Sequence, residues 1–364
     1  MCMVFACWKI SETDRLPTSI TPSIVQFVRP SMMVAVCGDQ SSNNIRNLIQ
    51  FIDLERNVLL HEVRTRPTED LHNPCIIDAI SLLGSENLAC MVRELSCSCI
   101  DALALMDMSS GELWKIQKLS SYCGDNMMVH VPRENVIVVG RRTSLELFTD
   151  DNLNPSGIIN VQLTLPHGHT CITSVLGGLT HDSWCSCVVV GHIEQTFLVV
   201  NVATQLIIQA VGWLPPLPER MQEGYNILDN LALAPSGTRF VVSSYEYFCV
   251  VDVSSSECVR RHHNPQMVPT CLSFVDDDRL VLASRFALKM LRCSSGECIR
   301  LFTLNLDRDL LPIRCVSLPR SEYAFVACVE QPLQLTGRVY RVEAKDPYEC
   351  KAVSDECVES LIVV

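Results

Sequence analysis

The chain repeats itself, and no other feature narrows its possible folds so far. Two neighbouring copies show the unit best, Asp229 to Arg260 and Thr270 to Arg300. Each opens on alternating apolar residues and passes a turn, Pro235-Ser236-Gly237 in one and Asp276-Asp277-Asp278 in the other. Each then enters an apolar run, Phe240-Val241-Val242 or Leu280-Val281-Leu282, reaches a serine and runs through a second apolar strand. Both close on Ser-Ser-(Ser/Gly)-Glu-Cys-(Val/Ile)-Arg, at 254–260 and 294–300. Alternation and short apolar runs between turns are strand signals. A unit this short cannot bury its apolar faces alone, so the copies must stack against one another. First strands placed near Val25, Ile77, Val129, Ile172, Leu231, Leu272 and Arg314 give seven units at intervals of 41 to 59 residues.

These copies resemble blades of the WD40-type β-propeller, each a four-stranded antiparallel sheet with strands a to d. Pro235-Ser236-Gly237 stands at the family's a to b turn. Val251-Asp252, Ile52-Asp53 and Met106-Asp107 stand at its Trp-Asp ending of strand c. Gly168-His169-Thr170 matches its Gly-His blade start, and Ser109-Ser110-Gly111-Glu112 and Ser294-Ser295-Gly296-Glu297 match its c to d turn. No Trp-Asp dipeptide is present, so repetition carries the resemblance more than any single motif. The resemblance implies an all-β fold: a single β-propeller domain over 1–364, of seven four-stranded blades beginning near residues 22, 75, 125, 168, 226, 268 and 311. Residues 1–13 read as a closing strand that completes the last blade, because a propeller left open would expose a sheet edge. Asp39 to Asn47, Arg66 to Pro74 and Leu214 to Tyr225 read as surface loops. The apolar end Leu361-Ile362-Val363-Val364 reads as the end of a fragment, similar to the propeller segment of a NACHT and WD-repeat type protein.

Composition excludes several functions. Lys+Arg 29 against Asp+Glu 41 leaves a net charge of −12, the wrong sign for a protein that must neutralise phosphates, so no nucleic-acid partner is expected. Many of the 20 cysteines occupy apolar slots, such as Cys249, Cys271 and Cys328, where a thiol acts as a small hydrophobe. With no secretory signal pattern and no glycosylation sequon, a cytoplasmic location with free thiols is expected. The segment Thr196 to Trp213 has the length of a membrane helix, but Asn201, Thr204, Gln205 and Gln209 interrupt it and no Lys/Arg cluster flanks it. Two strands joined at Ala203-Thr204-Gln205 fit better, and no membrane partner is expected.

Chemistry-bearing motifs are sparse. Phosphate loops, dinucleotide fingerprints and the common hydrolase and metalloprotease motifs are all missing. Cys97 and Cys99, or Cys185 and Cys187 with His181 and His192 nearby, bring thiols together, but Cys-x-Cys is not zinc spacing. Asp276 to Asp278 fits turn geometry better than calcium binding, and His262-His263 after Arg260-Arg261 reads as a solvated basic loop. No catalytic residue, metal or cofactor is therefore assigned. In the family the b to c and d to a loops form one face around the central channel. Carried onto this sequence, that face holds Arg93, Arg141, Arg142, His192, Glu194, Tyr245, Glu246, Arg285 and Glu330, a mixture rich in interface-type residues. The expected function is a non-catalytic scaffold that binds a protein or peptide on this face. Two alternatives are a regulatory propeller segment of a larger NACHT-type NTPase and a propeller hydrolase with a metal in its channel.

Overall fold

Each apolar run of the repeat forms a strand with neighbours on both sides. The computed structural model describes residues 4–9, 21–29, 33–39, 48–53, 56, 58–72, 74–82, 85–94, 101–119, 127–161, 172–177, 179, 185–192, 196–212, 230–244, 247–253, 255, 258–263, 269–284, 287–296, 298–303, 310–317, 323–330, 337–343 and 361–363. After strand β1 (Val4–Lys9) comes a first sheet of β2 (Thr21–Arg29), β3 (Met33–Asp39), β4 (Leu48–Asp53) and β5 (Val58–Arg64). The second is β6 (Pro74–Ser81), β7 (Asn87–Glu94), β8 (Asp101–Asp107) and β9 (Leu113–Lys118). The third is β10 (Met128–Val131), β11 (Val136–Gly140), β12 (Ser144–Thr149) and β13 (Pro155–Asn160). The fourth is β14 (Ile172–Leu176), β15 (Cys187–His192), β16 (Thr196–Asn201) and β17 (Leu206–Gly212). The fifth is β18 (Asn230–Leu233), β19 (Arg239–Ser244), β20 (Tyr247–Asp252) and β21 (Cys258–His263). The sixth contains β22 (Pro269–Phe274), β23 (Arg279–Ser284), β24 (Ala287–Arg292) and β25 (Cys298–Thr303). The seventh has β26 (Leu310–Ser317), β27 (Tyr323–Glu330) and β28 (Gly337–Glu343), and β29 (Leu361–Val363) follows.

Neighbouring strands within each of these repeat units pair antiparallel in chain order. The first strand of every sheet packs against the first strand of the next, and β26 meets β2, so the innermost strands close a ring. The core lies between sheets rather than within them. One hydrophobic cluster joins Ile49, Phe51 and Val63 of the first sheet to Ile76, Leu88 and Met106 of the second. Another joins Val189 and Phe197 of the fourth to Phe240 and Val251 of the fifth, where the two phenyl rings meet edge to face at 5.3 Å. Middle strands are thus covered on both faces, which is why they read as unbroken apolar runs, and every residue of β8 from Asp101 to Met106 is buried. The same sandwiching buries Cys75, Cys90, Cys187, Cys249, Cys271 and Cys293. Burial, with the Cys185 thiol beside it, pushes the Cys187 thiol up to about 11. Burial, reinforced by the carboxylates of Asp278 and Asp276, pushes Cys293 up to about 12.

Turns hold the strands in register. At the end of strand c, Asp53, Asp107, Asn201 and Asp252 each accept a hydrogen bond through Oδ1 from a backbone N–H two or three residues on. Asp53, Asp107 and Asp252 are the positions that resemble the Trp-Asp ending of WD40-type blades, and at all four a short side-chain acceptor closes the c to d turn. The Asp107 carboxyl, held by the Ser109 and Ser110 hydroxyls and amides, is lowered to about 2. In the Ser-Ser-Gly-Glu turns, Gly111 and Gly296 take φ of 71° and 74°. A methyl group on Gly111 would sit 2.8 Å from the Arg64 carbonyl oxygen of the preceding sheet, and one on Gly296 would overlap the His262 ring. Glycine serves both the left-handed backbone and the close approach.

Two sequence expectations change here. The N-terminal strand was expected on the last blade, yet β1 pairs parallel with β25 of the sixth sheet, Trp8 opposite Phe302, while β29 pairs antiparallel with β1. The sixth unit already has its own fourth strand, so β1 covers the outer edge of β25 rather than replacing a missing strand. The basic run Arg260 to His263 lies in strand β21, not in a loop. Its His262 ring stacks on Phe248 at 4.6 Å and donates through Nε2 to the Cys293 carbonyl of the next sheet, at 3.3 Å. The segment Thr196 to Gly212 is β16, a turn and β17, and among the described residues no helix is long and apolar enough to cross a membrane.

Candidate partner-binding rim

Each b to c turn lies at the end of its sheet where strand b stops and strand c starts, and there the sequence places an arginine in two successive sheets. In the second sheet Arg93 on β7 stands directly opposite Asp101 on β8. Its Nε donates to Oδ1 at 2.8 Å and its Nη2 to Oδ2 at 3.3 Å, with the Asp101 side chain fully buried. A fork on a desolvated carboxylate fixes geometry and uses the charge internally.

The third sheet separates two adjacent arginines. The Arg141 side chain is 3 % exposed and its Nη2 donates to Glu146 Oε2 at 3.3 Å. Arg142 is exposed. The turn carrying it is tied by its backbone at several points: Arg141 N–H to Ser144 carbonyl at 2.7 Å, Val161 N–H to Thr143 carbonyl at 3.0 Å, and Ile172 N–H of the next sheet to Arg142 carbonyl at 3.0 Å. His192 ends β15 in register with the same Ile172. The start of β14 therefore brings Arg142 and His192 to one place on the rim.

The remaining rim residues divide by position. Glu330 ends β27, opposite Leu310. Glu194, Tyr245, Glu246 and Arg285 lie outside the described residues, as do Cys97, Cys99 and His181. Sequence reading missed the acidic partners Asp101 and Glu146. The available signal was an arginine closing strand b with an acid early in strand c of the same hairpin.

The opposite end of the sheets, with the a to b turns, is knitted between neighbours. Arg133 donates to Cys185 Sγ and Ser186 to Glu134, joining the third sheet to the fourth. Ser236 N–H donates to Asp277 Oδ1 at 2.9 Å, joining the fifth to the sixth. The flanking acids cap turns: Asp276 accepts from the Asp278 and Arg279 amides and Asp278 from Ser294. Among the described residues no three His, Cys, Asp or Glu side chains converge as a metal site would require. The rim thus presents an exposed arginine on a held backbone, next to the buried Arg141–Glu146 pair, and a guanidinium so placed can donate to carboxylate or carbonyl oxygens.

No family model matches the sequence, and no curated protein matches it. Among solved structures, the chain is similar to the β-propeller domain in the crystal structure of Cps50 (Swd1) from Myceliophteria thermophila. The TM-score is 0.66 at 10% identity, and the match covers 89% of this chain and 97% of that one.

Proposed function

We propose, for a chain whose fold is a WD40-type β-propeller, that it is a non-catalytic scaffold which binds a protein or peptide on the face formed by the b to c and d to a loops. The observation that carries the reading is the Arg142 turn, an exposed arginine on a backbone fixed to both its own sheet and the next. With its backbone already fixed, only the side chain's own freedom is lost when the guanidinium takes up an acidic or carbonyl-rich segment. The Arg141–Glu146 pair in the same hairpin stiffens the turn that carries it.

The test is affinity capture from cell extract with quantitative mass spectrometry, comparing wild type with Arg142→Glu and, at the exposed c to d turn at the opposite end of the same sheet, Asp151→Lys. Proteins held by wild type and by Asp151→Lys are expected to be lost from Arg142→Glu, while circular dichroism and melting temperature stay unchanged. Equal capture by Arg142→Glu and wild type would remove Arg142 from the binding face.

A further inference from the structure

We propose that the seam where the fifth sheet meets the sixth, along β21 and β24, binds a short acidic segment of a partner protein, at a site separate from the rim. Charge on strands b to d of each sheet shows where cations gather. In the fifth and sixth sheets together, β19 to β21 and β23 to β25 hold seven Lys or Arg against a single acid, Asp252. The corresponding strands of the first sheet hold one against three, those of the second three against three, and those of the third and fourth together none against one. On β27 and β28 of the seventh the two signs balance. In a chain of net charge −12, the cationic excess on these strands is thus confined to two neighbouring sheets.

Strand register turns part of that excess onto one seam. Arg260 stands opposite Val250, His262 opposite Phe248 and Lys289 opposite Leu282, and directly opposite residues of an antiparallel pair share a face. Val250, Phe248 and Leu282 belong to one cluster packed between the fifth and sixth sheets, so Arg260, His262 and Lys289 lie on the faces that meet there. Counted back from Asp252 and Arg292, which end strand c in the two sheets, Lys289 falls level between Val250 and Phe248, and hence between Arg260 and His262. The bond from His262 to the Cys293 carbonyl ties the two faces together. Arg260 is exposed and pairs with no carboxylate among the described residues.

The acids at one end of the seam choose the occupant. Where strand c stops, the turns carry Asp252, Asp276 and Asp278. A long polyanion, such as a nucleic acid or an anionic membrane, would meet those carboxylates as well as the field of an acidic chain. A few consecutive carboxylates fit beside β21 without reaching them, since its six residues span about 20 Å. A carboxylate takes a guanidinium through two parallel hydrogen bonds and an ammonium as a point charge.

Fluorescence anisotropy of labelled hexaglutamate, titrated with the intact protein at low salt, tests the assignment. Binding by wild type is expected to saturate and to weaken as salt rises. Arg260→Glu is expected to weaken it by at least about tenfold with an unchanged thermal transition. Lys115→Glu, at an exposed cation of β9, is expected to leave it intact. No binding by wild type, equal binding by Arg260→Glu, or a loss that follows Arg142→Glu at the rim instead would overturn the proposal, as would hexathymidylate binding as tightly as the peptide. Should Arg260→Glu fail to fold, hydrogen exchange on wild type decides. Slower exchange of the β21 and β24 amides with hexaglutamate than with hexalysine supports the site, and equal exchange overturns it.

Discussion

Arg141 and Arg142 are adjacent in sequence and opposite in consequence. Removing the Arg141 guanidinium takes away the cation 3.3 Å from the buried Glu146 carboxylate, and breaking a buried pair from one side costs about 3–5 kcal/mol. Removing the exposed Arg142 guanidinium leaves the backbone bonds of its turn in place, so its cost stays within about 0.5 kcal/mol. Urea denaturation of Arg141→Ala and Arg142→Ala is expected to show that contrast, a large fall in midpoint for the first and almost none for the second. Equal effects would mean that Glu146 relaxes toward water when its partner goes. The sequence displays two equivalent arginines, because neither its composition nor its spacing says which one the b to c turn folds inward.

At the scale of elements, one device joins neighbouring sheets twice. In the first sheet His61 stacks on Phe51 at 4.6 Å and donates to the Met108 carbonyl of the second at 3.1 Å. His262, Phe248 and the Cys293 carbonyl repeat it between the fifth and sixth. Both carbonyls belong to the residue just after strand c. The repeat was legible in the Ser-Ser-Gly-Glu turns that the histidines approach, whereas the device was not. Its aromatic and histidine are ten residues apart in one copy and fourteen in the other, since Phe248 and His262 pair farther from their c to d turn than Phe51 and His61 do. Burial holds His262 below the ordinary histidine value, against the pull of its bond to the Cys293 carbonyl and with the help of the Arg260 charge. The unfolded chain therefore takes up this proton at a higher pH than the folded one. The resulting stability is present above about pH 6.5 and is lost as pH falls below it toward the folded value. Melting temperatures measured between about pH 8 and about pH 5.5 are expected to fall less steeply for His262→Gln than for wild type. Parallel slopes would show that the ring does not titrate differently on folding.

For the whole molecule, the consequence of placing the core between sheets is that no sheet owns its stability. Phe197 packs its ring on Phe240 across the fourth and fifth sheets, and the second, third and fourth sheets share a single cluster that runs from Met91 and Leu103 through Ile137 and Leu145 to Val188 and Leu198. The stacking of sheets was legible because the unit repeats and carries apolar middle strands, which suit a sheet covered on both faces, whereas closure into a ring followed only from the resemblance to WD40-type blades. The placement of β1 was not legible, since an isolated apolar strand such as Val4 to Lys9 fits any open edge equally well and only the fold reveals which edge is open. Shared cores in a closed ring predict cooperative unfolding, in contrast to an open array, in which each repeat contacts only its neighbours and cooperativity can break down. Phe197→Ala should remove about 3–5 kcal/mol of burial and ring contact. Hydrogen exchange at the β7 and β8 amides, two sheets away, is expected to accelerate along with that at β19 and β20. If only the fourth and fifth sheets respond, the ring unfolds in parts, and its stability is the sum of local interfaces rather than a property of closure.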